Sequence, residues 1–127
     1  MDYKTAEAAI LEVANFICPE DNYDDILSTS IDEIFCTYNE DKILLGENYF
    51  VHPVTSYGGE GQGDEYWEVL KVVDKNTLEK AYVKREGWYA SYSGHEWAKA
   101  YLVEPKEVMV TEYHKVGSPK ENPPASL

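Results

Sequence analysis

Basic side chains are nearly missing from the first half of this 127-residue chain. Residues 1–65 hold fifteen acids against Lys4 and Lys42 alone, whereas residues 66–127 hold nine of each sign. The formal charge of −13 therefore falls entirely on the first half. A field of that sign repels nucleic acid and anionic lipid, so direct binding to either is not expected. It attracts basic protein surfaces and speeds encounter with them. Acidity also serves plain solubility, but placement this uneven favours an interaction face.

Cysteine is scarce too. Cys18 and Cys36 both fall in apolar helical patterns, so buried free thiols are expected rather than a disulfide framework. The start, Met1-Asp2-Tyr3-Lys4, has neither a charged n-region nor an apolar h-region. No apolar run approaches the ~20 residues that a membrane span needs. A cytoplasmic protein with reduced thiols and no membrane partner is expected.

Recognisable catalytic patterns are missing as well. Gly58 to Gly63 is glycine-rich, but Asp64 and Glu65 stand where a P-loop needs Lys and Ser/Thr, and a strand rather than a helix follows. His95-Glu96 begins like H-E-x-x-H, yet position 99 is Lys99. There is no G-x-S-x-G and no Cys–His signature. The pairs Asp24-Asp25, Asp32-Glu33 and Asp64-Glu65 carry no specific message, since adjacent surface acids are commonplace. These features argue for a protein that binds rather than catalyses, with no catalytic residues, no cofactor and no metal.

What is present suffices for one globular domain, with 43% apolar and 28% charged residues. Ala6, Ile10, Val13, Ala14 and Ile17 recur at helical spacing, so the pattern predicts a helix over 5–18, capped by Thr5 and stopped by Pro19. Leu27, Ile31, Ile34, Phe35 and Tyr38 predict a second helix within 20–41, with Ser30 and Glu33 as a capping box. After Gly46 the pattern turns to strands. Tyr49–Val51 comes first, then Tyr66–Val73, a turn at Asp74–Thr77, a return over Lys80–Glu86, a short Tyr101–Val103 and a final strand from Lys106 to Lys115. The expected fold is α+β: two N-terminal helices packed on a four- to five-stranded antiparallel sheet that could curl into a barrel-like form. The domain would span residues 1–116, with an acidic helical part over 1–45 and an aromatic-rich β part over 46–116. Residues 117–127 would form a flexible Pro/Ser tail.

Aromatics are the most pointed signal. All three tryptophans and eight of eleven tyrosines lie between positions 49 and 113. Trp88, Tyr89, Tyr92, His95 and Trp97 share a stretch rich in Gly and Ser, a composition suited to recognition because rigid rings alternate with adaptable small polar groups. Strand aromatics also serve as core, which is the expected role of part of Trp88, Trp97 and Trp67 or Tyr66. Tyr89, Tyr92 and His95 are the expected exposed members.

Three stretches carry a resemblance: G-G-E-G-x-G-x-x-Y-W-x-V-x-K-V at 58–72, G-W-Y-x-S-Y-x-G-x-E-W at 87–97 and V-E-P-K-x-V-x-V-T-x-Y at 103–113. Over residues 48–115 the chain resembles small bacteriophage accessory proteins. The resemblance brings no activity or site residues. It implies a context, the host cytoplasm, and a class of role: binding and modulating a host factor of defence, restriction or transcription.

The leading expectation is therefore a non-enzymatic acidic inhibitor or modulator of a host protein with a basic surface, in its sharpest form a nucleic-acid mimic. Asp21, Asp24, Asp25, Asp32, Glu33, Glu40 and Asp41 would form the acidic face, and Trp88, Tyr89, Tyr92, His95 and Trp97 the anchors. One alternative is a nucleotide-like ligand stacked on Tyr89, Tyr92 and Trp97 with Lys84, Arg85 and Lys99 at its phosphate. Others are a structural or virion component, and an enzyme using His95 and Glu96.

Overall fold

The computed structural model describes residues 1–35, 42–58, 64–90 and 94–116. One helix, α1 (Tyr3–Ile17), is followed by a short 3-10 helix (Thr29–Glu33) and five strands: β1 (Leu44–Leu45), β2 (Tyr49–Gly58), β3 (Glu65–Asp74), β4 (Lys80–Ala90) and β5 (Gly94–Val103). The strands form one antiparallel meander in the order β1-β2-β3-β4-β5. The protein is thus α+β, one helix on a five-stranded sheet.

Helix α1 starts earlier than its apolar pattern suggests. Asp2, not Thr5, is the N-cap, and its side chain accepts from the Thr5 N–H at 2.8 Å. That hydrogen bond holds the Asp2 carboxyl below its usual range. The helix ends at Cys18, whose N–H donates to the Ala14 carbonyl, just before Pro19. Ala6, Ala9, Ile10, Val13 and Ala14 make its buried face, and three alanines among them let the backbone approach the sheet closely. A Cβ at Gly46 would meet Val13 Cγ2 at 2.9 Å, a measure of how tightly the chain is drawn in. Burying Ile10 and Val13 contributes roughly 1.5–3 kcal/mol each.

The second expected helix is replaced by loop and 3-10 structure. Asn22 has a left-handed φ of 50°, the Asp25 side chain accepts from Leu27 N–H, and Ser28, not Ser30, caps the 3-10 turn. Short polar side chains that satisfy nearby backbone groups compete with the helix for them. The apolar pattern is used all the same: Ile26, Ile31, Ile34 and Phe35 are buried, while Leu27 is half-buried. Cys36, Tyr38, Glu40 and Asp41 lie outside the described residues.

In the sheet, every second residue of β3 (Tyr66, Glu68, Leu70, Val72) and of β4 (Ala81, Val83, Arg85) points inward beneath α1 and the 3-10 turn. Val51 of β2 joins them in the same core. Pro53 does not end β2. It is buried at a register shift between Pro53 and Thr55, where a missing N–H is tolerated. The expected barrel-like closure is not found: the sheet is open, with β1 at one edge and β5 at the other. The described part of the aromatic stretch lies in strands. Trp88, Tyr89 and Ala90 continue β4, and Gly94 to Trp97 begin β5, with 91–93 outside the described residues. The short strand expected at Tyr101–Val103 is the end of β5. The strand expected over Lys106–Lys115 is absent. Residues 104–116 belong to no helix or strand and are exposed, and Glu104-Pro105 disfavours a tight return onto β5. The expected tail, 117–127, lies outside the described residues.

Candidate functional site

Three groupings of polar and aromatic side chains stand out, and only one is internal. Arg85, on β4, is fully buried. Its guanidinium donates through Nε to Glu68 Oε1 (2.8 Å), through Nη1 to the Ile26 carbonyl (2.7 Å), and through Nη2 to Asp32 Oδ1 (2.9 Å) and to Glu68. Trp97 closes the cluster. Its indole N–H donates to Asp32 at 3.0 Å, and its ring lies 4.2 Å from the Arg85 guanidinium carbon. Tyr66 packs against Trp97 with ring centroids 5.3 Å apart. Burial pushes the Glu68 carboxyl up, against the pull of Arg85. Burial, and then the neighbouring Glu68, push the Tyr66 phenol up as well. With Arg85 and Glu68 paired and buried and Asp32 part-buried beside them, this cluster ties the 20–35 segment to the sheet.

The second grouping is the outer face of the sheet. Helix α1 and the 3-10 turn both pack on the inner face, and among the described residues no helix or strand covers the other. Trp67, Lys71, Tyr82, Lys84, Glu86 and Tyr101 alternate outward from β3, β4 and β5. Tyr57 of β2 stacks on Trp67 with centroids 5.7 Å apart and planes within 18°. Lys84 Nζ lies 4.5 Å from the Trp67 centroid, Lys71 lies over Tyr82 at 5.9 Å, and Lys99 over Tyr101 at 5.8 Å. Glu86 is the hub between them. It accepts from the Tyr101 hydroxyl and pairs with Lys99 at 3.3 Å and Lys84 at 3.5 Å. The Tyr101 hydrogen bond, then the two lysines, lower its carboxyl below the usual range, while Glu86 pushes the Tyr101 phenol up. A shallow cavity of about 190 Å³ on this face is lined mainly by Val54, Val69, Tyr82, Val103 and Pro105.

The third is the acidic segment. Asp21, Asp24, Asp25 and Glu33 are exposed on the loop and 3-10 turn that follow α1. Asp24, Asp25 and Glu33 make no ion pair among the described residues. Asp21 accepts from the Tyr23 hydroxyl at 2.9 Å, and burial together with Asp21 pushes the Tyr23 phenol up to about 12. Among the described residues, one set of three potential metal ligands comes together here: Cys18, Glu20 and Asp21, with ligand atoms within 4.8 Å. Desolvation and these same acids push the Cys18 thiol up, which favours its protonated, non-ligating form.

No family model, curated protein or solved structure matches the chain. No helix among the described residues is long and apolar enough to cross a membrane.

Set against these positions, the expected sites divide. Asp21, Asp24, Asp25 and Glu33 do share one exposed segment, but Asp32 turns inward to Arg85 and Trp97. The expected aromatic anchors do not act as one surface. Trp97 is buried, in keeping with the core role expected of it and not with that of an anchor, Trp88 is exposed in place of its expected core role, and Tyr89 is half-buried. Tyr92 and the His95 side chain lie outside the described residues. Arg85 is in the core and offers nothing to a phosphate, whereas Lys84 and Lys99 do face outward. The stack of Tyr57, Trp67 and Lys84 escaped the sequence analysis because the partners come from three strands. The alternation Trp67/Val69/Lys71 against Tyr66/Glu68/Leu70 was the available signal.

Proposed function

We propose that the chain is a non-enzymatic binding protein that recognises a basic surface on a protein partner, in the manner of small phage accessory proteins that modulate a host factor. The observation that carries this reading is the exposed charge of Asp24, Asp25 and Glu33, without an ion pair among the described residues, in a stretch from Thr5 to Asp41 without a single Lys, Arg or His. Unpaired surface carboxylates in one segment give a local negative field that raises encounter rates with a cationic surface and falls with salt. A nucleic-acid-binding groove of the partner is the sharpest form of target, with carboxylates standing in for phosphates.

The test uses two baits in bacterial lysate, the wild-type chain and an Asp21→Asn/Asp24→Asn/Asp25→Asn/Glu33→Gln variant, each at low and high salt. A partner held by the wild type at low salt, and lost both at high salt and in the variant, supports the reading. Capture that ignores salt and is equal for both baits refutes it.

A second reading is favoured by the cation laid over stacked rings at Lys84, Trp67 and Tyr57. A planar anionic ligand such as a nucleotide would stack there and meet Lys84 and Lys71. Titrating nucleoside monophosphates while following tryptophan fluorescence distinguishes it. Saturable quenching that Trp67→Ala abolishes would favour the ligand over the protein partner.

A further inference from the structure

The sheet has two unlike edges. At one, β1 is only two residues long, a blunted edge of the sort that resists further pairing. At the other, β5 runs from Gly94 to Val103 and pairs only with β4 among the described residues. Immediately after β5 comes a segment with strand alternation, in which Val108, Val110 and Glu112 alternate with Met109, Thr111 and Tyr113. It finds no burial in its own copy: Val108 is 76%, Met109 101%, Val110 72% and Tyr113 95% exposed.

The segment cannot easily return to its own β5. A two-residue hairpin at Glu104-Pro105 needs a positive φ at its first position, a conformation suited to Gly or Asn and not to Glu. The ring of Pro105 also drives Glu104 towards extended backbone. Residues 104–116 therefore follow β5 without pairing to it, and among the described residues no strand pairs with the outer edge of β5.

We propose that residues 106–115 are a donor strand for the free edge of β5 in a second copy of the chain, which gives its own strand in return to form a closed two-fold dimer. Self-complementarity is what selects a second copy. With the two-fold axis at Pro105, antiparallel pairing sets Glu104 against the partner's Lys106, Leu102 against the partner's Val108, Tyr101 against the partner's Met109 and Ala100 against the partner's Val110. Glu104 meets a lysine, and three of the next four pairs bring apolar or aromatic side chains together, Val103 opposite the partner's Glu107 being the exception. An open cavity of about 490 Å³ lies where the end of β5 meets the start of β4, its lining including Met1, Ala81, Leu102 and Pro105, and offers room for an apolar side chain beside the crossing point of the two copies. Closed two-fold exchange covers the outer edge of β5 in both copies at once. The proposal stands apart from the acidic-segment reading, which involves the opposite end of the chain.

The experiment is light scattering of the full-length chain after size exclusion, over a range of concentrations. A mass twice the 14.5 kDa of the chain is expected. Val110→Pro should return the mass to that of a monomer with unchanged far-ultraviolet circular dichroism, since Val110 is 72% exposed in its own copy. Glu104→Lys should raise the dimer dissociation constant, and Glu104→Lys/Lys106→Glu should bring it back. A wild-type monomer at every concentration, a dimer that survives Val110→Pro, or a double variant no tighter than Glu104→Lys would each overturn the proposal.

Discussion

Arg85 and Asp32, fifty-three residues apart in the chain, meet at 2.9 Å inside the fold. Asp32 belongs to the acidic half and Arg85 to the balanced half, so this pair, with Glu68, joins the two halves electrically. An ion pair enclosed this way adds little net stability against an apolar equivalent, yet breaking it is costly because one charge is stranded.

Removing Arg85 should therefore be severe. Arg85→Met is expected to cost about 3–5 kcal/mol, because Glu68 is left buried without its cation. Adding Glu68→Leu should recover much of that loss. Urea unfolding of the two single variants and the double variant gives the coupling.

Gly87 is held where no side chain fits. A Cβ there would lie 1.8 Å from the Glu96 carbonyl oxygen, at the register shift between Glu86 and Gly87. Gly87→Ala should destabilise by about 1–3 kcal/mol or more, the usual cost of forcing a methyl into packed structure. Thermal unfolding should show the shift. An unchanged midpoint would mean that the β4–β5 pairing is looser than described.

The Glu86 hub predicts an acid-side pH dependence. Its folded carboxyl is lowered, so the stability it contributes is present above the unfolded value of about 4.5 and is lost as pH falls through the folded value. Tyr101→Phe removes the largest cause of that lowering. The Glu86 carboxyl should then titrate at higher pH by carbon-detected NMR, and the acid-side loss of stability should be smaller, because the gap between folded and unfolded values narrows.

Tyr3 and Tyr23 predict the alkaline side. Both phenols are pushed up to about 12, chiefly by burial, with Glu7 and Asp21 as their respective hydrogen-bond partners. A raised folded value makes the unfolded chain lose its proton first. Stability should hold below pH about 10 and fall as pH rises towards 12. Tyr23→Phe should flatten part of that fall in denaturant titrations.

Charge repulsion in the acidic segment gives a salt prediction. Asp24→Asn should stabilise slightly at low ionic strength, and added salt should shrink the difference, since exposed like charges are screened within about 10 Å at 0.1 M. A larger benefit at high salt would show that Asp24 has an attractive partner instead.

Local signals carried the coarse plan. Ala6, Ile10, Val13 and Ala14 at helical spacing, Pro19 as a stop, and the alternation of Tyr66 to Val73 and of Ala81 to Arg85 suffice for a helix and two central strands of an α+β fold. These patterns are written in adjacent residues, where the 3.6-residue and two-residue periods act directly. The open order of the sheet, the loop in place of a second helix, the inward turn of Asp32 and the exposure of Trp88 in place of Trp97 were decided only by the tertiary structure. Each depends on a partner far away in sequence. Asp32 looks like its neighbour Glu33 until Arg85 and Trp97 arrive from strands more than fifty residues on, and desolvation then makes pairing obligatory for one acid and leaves the other in water.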